Sequence, residues 1–249
     1  MENSDIRKYG LIGKNISYSF SKQYFTTKFE EENKPNFSYE NFDLSEISQL
    51  QSVVEETLYL KGLNVTIPYK EAVFPFLDKI NKKALVIGAV NTIKITKKNK
   101  LKGYNTDYYG FKKSIKPYLK PHHQKALILG TGGASKAIAF AFNQLQIDYT
   151  FVSRNPKLGE FCYEELNETI FNQYHLVINC TPLGTFPNTT EFPPLPYSFF
   201  TEKHLAFDLI YNPSETNFLK KAKAFQAETV NGYQMLVFQA EKAWEIWNK

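Results

Sequence analysis

Residues 125–154 read KALILGTGGASKAIAFAFNQLQIDYTFVSR, and how this stretch is parsed decides the fold. The apolar run Leu127-Ile128-Leu129 leads into Gly130-Thr131-Gly132-Gly133-Ala134-Ser135. The glycines fill the first two positions of a G-x-G-x-x-G/A turn, with Ser135 at the third, and Ala137 and Ala139 are small enough for a helix to pack close to a sheet. A second apolar run, Tyr149 to Val152, follows the helix. This is a strand–helix–strand unit of the length a parallel sheet requires. Such a turn brings backbone close to a pyrophosphate and aims a helix N-terminus at it. The plain alternative is a strand–helix turn with no ligand.

The second strand runs into Ser153-Arg154-Asn155. A site for an unphosphorylated ribose usually carries Asp or Glu there, to hold the 2′-hydroxyl. No acid is present, and Arg154 stands where a 2′-phosphate would lie, so the stretch favours NADP over NAD. Lys157 is a second candidate cation. Arg154 as a solvated surface arginine is the competing reading.

Working outward, HLVINC (175–180) and LAFDLI (205–210) read as further strands. Near-continuous apolar runs of this kind suit a parallel sheet covered on both faces. Upstream, 7–13 and 37–43 read as strands, 21–32 and 45–57 as helices, and 58–67 as a strand before a helix opened by Pro68. Residues 86–95 and 100–104 read as strands joined by a Lys/Asn turn, and 108–118 as a helix. A final amphipathic helix follows Gly232. The fold class is α/β in two domains: 1–104 plus 233–249, and 105–232.

The 249 residues are 43% hydrophobic and 22% charged, as in an ordinary folded protein large enough for two small cores. The net charge of +5 comes from scattered lysines, without the basic stripe of a nucleic-acid footprint. Cys162 and Cys180 fit no metal spacing and no disulfide framework, which points to a reducing compartment and no metal. No apolar run approaches the ~20 residues of a membrane span, and the N-terminus has no signal-peptide core. The expectation is a cytoplasmic protein without nucleic-acid or membrane partners.

The first half carries a set of polar residues in apolar surroundings. Ser19 and Ser21 would face one side of an extended segment and could hold a carboxylate, or they are a helix cap. Asn64 and Thr66 interrupt the apolar run GLNVTIPYK (62–70), and buried polar groups need partners. Lys70 sits in the first turn after Pro68, where a helix dipole disfavours a cation. That choice points to proton transfer with Asp107 as its carboxylate partner, although a solvated lysine and an N-cap aspartate fit the same positions. Asn91 and Asn105 read as site residues or as turn chemistry. Gln239 is the polar exception in the apolar stripe of the last helix, while Trp244 and Trp247 read as packing.

Taken together these segments resemble the shikimate dehydrogenase family over nearly the whole chain. The resemblance rests on YGLIG (9–13) with SFS (19–21), GLNVTIPYK (62–70), AVNT (89–92), GYNTD (103–107) and GTGGAS (130–135). NCTPLG (179–184), DLIYNP (208–213) and the segment from Gly232 to Trp247 complete it. It implies a substrate domain and a Rossmann-type NADP domain with an active-site cleft between them. The activity implied is the NADPH-dependent, reversible reduction of 3-dehydroshikimate to shikimate on the route to chorismate.

The same resemblance makes Lys70 and Asp107 the catalytic pair. It places Ser19, Ser21, Asn64, Thr66, Asn91, Tyr211 and Gln239 on the substrate. It assigns Gly130, Thr131, Gly132, Gly133, Ala134, Ser153, Arg154, Lys157, Thr181 and Gly232 to NADP. The assembly implied is a monomer or homodimer. A quinate/shikimate dehydrogenase and a catalytically silent ligand sensor are the alternatives. The chain departs from the family pattern at Tyr18 (usually His), Lys22 (usually Pro) and Ser153 (usually Asn), which bears on cofactor selectivity more than on reaction class.

Overall fold

The computed structural model describes residues 6–16 and 19–249; Tyr18 therefore lies outside the described residues. The chain divides into two compact units, Met1–Thr106 with Ala240–Lys249, and Asp107–Gln239.

The first unit contains β1 (Arg7–Gly13), α1 (Phe20–Glu31), β2 (Phe37–Asp43), α2 (Leu50–Glu56), β3 (Leu60–Val65) and α3 (Tyr69–Ala72). It continues with β4 (Lys79–Ile80), α4 (Lys82–Ile87), β5 (Thr92–Ile95) and β6 (Leu101–Tyr104). Its six strands lie in the order β2-β1-β3-β5-β6-β4. β1 is parallel to β2 and β3, whereas β5 is antiparallel to both its neighbours. Strand alternation sends Tyr9 and Leu11 to one face, against Phe25, Phe29 and Trp247, and Ile12, Leu63 and Val65 to the other.

The second unit contains α5 (Asp107–Ile115), β7 (Lys125–Leu129), α6 (Gly133–Leu145), β8 (Asp148–Val152), α7 (Glu168–Phe171) and β9 (Leu176–Asn179). It ends with β10 (Leu205–Asp208), α8 (Asn217–Ala224), β11 (Glu228–Val230) and the first part of α9 (Tyr233–Asn248). Its sheet is parallel throughout, in the order β11-β10-β9-β7-β8. Leu127, Leu129 and Val177 face a core with Phe171 and Phe218, while on the other face Phe111 packs edge-on against Phe142 and Phe207. Strand order reverses at β7, with β8 on one side and β9 on the other. In such sheets the carboxyl edge at the reversal is where ligands bind. At the opposite, amino edge the chain's four histidines gather: His122 packs on His123 and His175, and His175 on His204, with ring centroids 4.5, 5.4 and 5.3 Å apart.

The last turns of α9 belong to the first unit. Trp247 donates its indole N–H to the Ile93 carbonyl at 2.9 Å and stacks on Tyr9 at 4.9 Å. Gly62 is required by this contact, because a Cβ there would stand 2.2 Å from Trp247 Nε1. The reading of the tryptophans as packing is borne out for Trp247, and Trp244 likewise packs against Tyr9, Phe25 and Phe29.

Two local expectations are corrected. Residues 86–95 are not one strand. Asn81 caps α4 by accepting from the Lys83 N–H at 3.0 Å, Gly88 closes it at φ +73°, and strand begins only at Thr92. Ser19 and Ser21 do not share an extended segment. Ser19 is the N-cap of α1, accepting from the Lys22 N–H at 3.3 Å, and Ser21 lies within the helix.

Candidate active site

In the first unit the polar residues form one connected network of neutral groups. Asn64 is buried on β3. It accepts from the Tyr39 hydroxyl at 2.7 Å and donates to the Asn91 carbonyl and the Thr92 hydroxyl, both at 3.3 Å. Asn91 donates to Thr106 Oγ1 at 2.9 Å and accepts from the Thr106 N–H at 2.7 Å. Asn105 donates to the Ala89 carbonyl at 3.0 Å. The two asparagines thereby pin the residues just before Asp107 onto the Ala89–Asn91 stretch, so the turn chemistry read for them is realised. Ser21 joins from α1 through a hydrogen bond to Tyr39, whose phenol is pushed up chiefly by burial and partly restored by that bond.

Thr66 follows β3, and its backbone N–H donates to the Ile12 carbonyl at 2.9 Å. Its methyl fills the space where a Cβ on Gly13 would lie, 2.5 Å away. Lys70 is half-buried on α3, and its carbonyl accepts from the Val90 N–H at 2.8 Å. The helix-dipole argument for Lys70 fails: α3 has four residues, so its first and last turns coincide.

In the second unit Asp107 is buried in the first turn of α5, where a helix N-terminus favours an acid. Gln239 is buried on α9 and donates to the Leu236 carbonyl at 3.1 Å. The approach of α9 to α5 requires Gly110, whose Cβ would stand 2.5 Å from the Met235 carbonyl oxygen.

The glycine turn has the form its sequence predicts. Gly130 takes φ +92°, where side chains are strained, and a Cβ on it would press on the Thr181 methyl at 3.2 Å. Gly132 is the extended N-cap of α6, and a Cβ on it would meet nothing within 4 Å. A bare backbone face therefore opens at the head of a thirteen-residue helix, beside first-turn N–H groups that the helix itself cannot pair. Thr131 is exposed, and Gly133 and Ala134 begin the helix. Ser135 is fully buried and donates to the Gly132 carbonyl at 2.7 Å, so its role is to fasten the turn. These residues fit a dinucleotide phosphate.

Past β8, Ser153 accepts from the Asn155 N–H at 3.2 Å, and Arg154 and Lys157 are exposed. Arg154 lies close enough to Tyr163 to oppose the burial that pushes its phenol up to about 12. The Lys157 N–H donates to the Glu160 carboxylate at 2.9 Å, which places an acid beside this second candidate cation.

At the ends of β9 and β10 lies a group the sequence reading left without a role. Asp208 is fully buried. It accepts from Asn179 Nδ2 at 3.0 Å, the Ile210 N–H at 3.0 Å and the Thr216 hydroxyl at 2.6 Å. Asn179 accepts in turn from the Thr181 hydroxyl at 2.7 Å and the Thr181 N–H at 3.0 Å. The Ile210 carbonyl accepts from the Gly232 N–H at 3.0 Å, and a Cβ on Gly232 would collide with the Leu209 carbonyl oxygen at 2.1 Å. Tyr211 is half-buried beside Ile210. Burial pushes the Asp208 carboxyl up to about 7, against the lowering effect of its three donors. Tyr39 and Asp208 are the residues missed; an acid inside the apolar run LAFDLI was the available signal for the second.

Residues 11–93 match the model of the shikimate dehydrogenase substrate binding domain. A shikimate dehydrogenase (NADP(+)) of Clostridium botulinum is 39% identical over 96% of this chain and 95% of its own length. One of Methanococcus maripaludis is 36% identical over 99% and 94%. The shikimate 5-dehydrogenase of Thermus thermophilus, solved in complex with NADP(H) and shikimate, is 29% identical over 97% of this chain and 93% of that one, with a TM-score of 0.84. With both units, the glycine turn and the polar network in the family's order along the chain, this protein belongs to the shikimate dehydrogenase family.

Proposed function

We propose that this chain is an NADP-dependent shikimate dehydrogenase that interconverts 3-dehydroshikimate and shikimate, with the first unit binding substrate and the second binding NADP. The observation that carries the reading is the pairing of two features in one chain. One is a bare helix head followed by an acid-free strand end carrying Arg154. The other is a buried array of amides and hydroxyls suited to a polyhydroxylated acid.

The cofactor, when bound, supplies the hydride. Lys70 delivers a proton to the oxygen of the ring ketone, and Asp107 accepts from a neighbouring hydroxyl of the substrate. Ser19 and Ser21 hold the substrate carboxylate; in accepting from Lys22, the Ser19 hydroxyl keeps its own proton to donate. Both Asn64 amide hydrogens have partners, so its contribution is the second lone pair of Oδ1, which accepts from a ring hydroxyl. Thr66, Asn91, Tyr211 and Gln239 complete the substrate set. The α6 head from Gly130 to Ala134, with Thr181 and Gly232, holds the pyrophosphate and nicotinamide ribose. Arg154, aided by Ser153 and Lys157, holds the 2′-phosphate. A site built to hydrogen-bond hydroxyls rejects analogues that lack them, because its buried groups are then left unpaired.

Two free cysteines suit a reducing cytoplasm. Among the described residues no helix is long and apolar enough to cross a membrane. The assembly proposed is a monomer or homodimer.

The test is NADP reduction by purified protein with shikimate, with NAD and quinate as parallel arms. Lys70→Ala is expected to lower turnover about 100- to 10,000-fold, the usual contribution of a positioned proton donor. No turnover with any of the four pairs overturns the reading, and turnover unchanged in Lys70→Ala overturns the role of Lys70.

A further inference from the structure

Three segments converge at the carboxyl edge of the parallel sheet: the loop after β9, the loop after β10 and the turn before α9. Each is short of regular backbone pairing, and each is tied to the same buried side chain. Asn179 passes Asp208's grip to Thr181 through two hydrogen bonds. Ile210 takes it directly at its N–H and passes it on to Gly232 through its carbonyl. Thr216, the N-cap of α8, donates to the other carboxylate oxygen at 2.6 Å and accepts from the Leu219 N–H at 3.4 Å, which fixes where α8 starts. The two loops are also tied to each other, since the Phe186 N–H donates to the Asn212 carbonyl at 3.1 Å.

We propose that Asp208 is the positioning residue of this edge, a buried carboxylate that clamps the β9 and β10 loops and the α9 turn to one another and so sets cofactor affinity without touching the cofactor. This rests on the reading of that edge as the NADP site. A neutral residue with one acceptor could not satisfy three donors from three elements. A carboxylate can, and it carries two oxygens to divide between the strand ends and the helix cap.

Burial pushes the carboxyl up to about 7, so it changes charge in the range around neutral pH. The titratable groups that face it are Cys180 and Tyr197. Both are pushed up, by burial first and by Asp208 second, and both stay protonated through that range. The pH dependence of the clamp therefore belongs to Asp208. A protonated Asp208 has one oxygen fewer to accept with, so cofactor affinity weakens as pH falls through about 7.

The experiment compares full-length wild type, Asp208→Ala and Asp208→Asn. It reads NADPH affinity by fluorescence titration against pH, Michaelis constants for NADP and shikimate, and amide hydrogen exchange. Asp208→Ala is expected to weaken NADPH binding about tenfold. The shikimate constant should move less than about twofold, the range of a remote substitution. Exchange should quicken in residues 180–185 and 209–213 and stay unchanged in β7. Asp208→Asn, which has one accepting oxygen like the protonated acid, should bind NADPH at every pH about as weakly as wild type does below neutrality, and lose the break near neutrality.

Equal losses for both ligands, or an Asn variant that keeps the wild-type pH profile, overturn the proposal. If the alanine variant fails to fold, Thr216→Val, which removes one of the three donors, should weaken NADPH binding in the same direction by about threefold; no change overturns the clamp. Wild type that binds no NADPH would overturn the functional reading by itself. The exchange comparison would still decide whether the clamp exists.

Discussion

The two units bury polar side chains beside their sites, and they do it with different chemistry. In the first, Tyr39, Asn64, Asn91, Thr92 and Thr106 are all neutral, and each is satisfied by another neutral group. In the second, the corresponding node is a carboxylate served by three donors. A neutral network has no proton to gain or lose near neutrality, so its stability contribution is constant with pH. A buried carboxylate keeps three donors in register but makes the surrounding structure depend on pH. The partners are uncharged in both units, so the difference teaches that burial brings pH dependence only where the buried group can itself ionise.

The sharpest way to break this comparison is a thermal unfolding series against pH. Asp208 titrates at about 7 when folded and near 3.8 when unfolded, so between those values the folded state holds the extra proton. Its contribution to stability therefore falls as pH rises from about 4 to about 7 and is level above that. A displacement of that size corresponds to on the order of 4 kcal/mol across the whole window. Asp208→Asn should remove this slope.

His123 and His204 act in the opposite sense. Burial lowers both, so their protonation destabilises the fold as pH drops below the ordinary histidine value of 6.5. The informative quantity is thus the difference between wild type and Asp208→Asn at each pH. A difference that does not vary with pH would erase the contrast between the units.

Next in size, Tyr39→Phe leaves the Asn64 Oδ1 without its 2.7 Å donor in a buried setting. The expected loss is about 1–3 kcal/mol, equal at pH 5 and pH 8 in denaturant unfolding. A loss that differs between the two pH values would mean the network is not electrically silent.

Smaller again, Arg154→Ala should raise the Michaelis constant for NADP about tenfold, the loss of roughly 1.4 kcal/mol of charge-assisted binding, and leave that for shikimate alone. Equal changes in both would remove Arg154 from the cofactor. The smallest structural effect is expected at Gly132, where a Cβ meets no protein atom. Gly132→Ala should shift stability by less than about 0.5 kcal/mol, yet it should weaken NADPH binding because the methyl occupies the bare face. Unaltered NADPH affinity would mean the cofactor lies elsewhere.

Much of the second unit was legible because its signals are local. The run Leu127–Leu129, the glycine turn and the alanine-rich helix lie within twenty residues and agree with one another. Legibility failed where local signals were weak or partners were distant. Ala84–Ile87 is too short an apolar run to show a period, and only Asn81 and Gly88 mark it as a helix. Ser19 and Ser21 were read with strand geometry because spacing alone does not reveal that Ser19 starts α1. The roles of Tyr39 and Asp208 were illegible for another reason. Their partners Asn64 and Asn179 are 25 and 29 residues away, and no rule of spacing links them.

The seat of Trp247 against Gly62, Tyr9 and the Ile93 carbonyl has a consequence for the order in which the molecule is made. A ribosome delivers the first unit's sheet early but the side chain that fills its slot last. Tyr9, Phe25 and Phe29 wait with apolar surface uncovered while residues 107–239 emerge and complete their own core. The second unit can therefore reach its final packing before the first, reversing the usual head-to-tail sequence of domain folding. The interval before the last turns of α9 arrive is when the nascent chain most needs protection from aggregation.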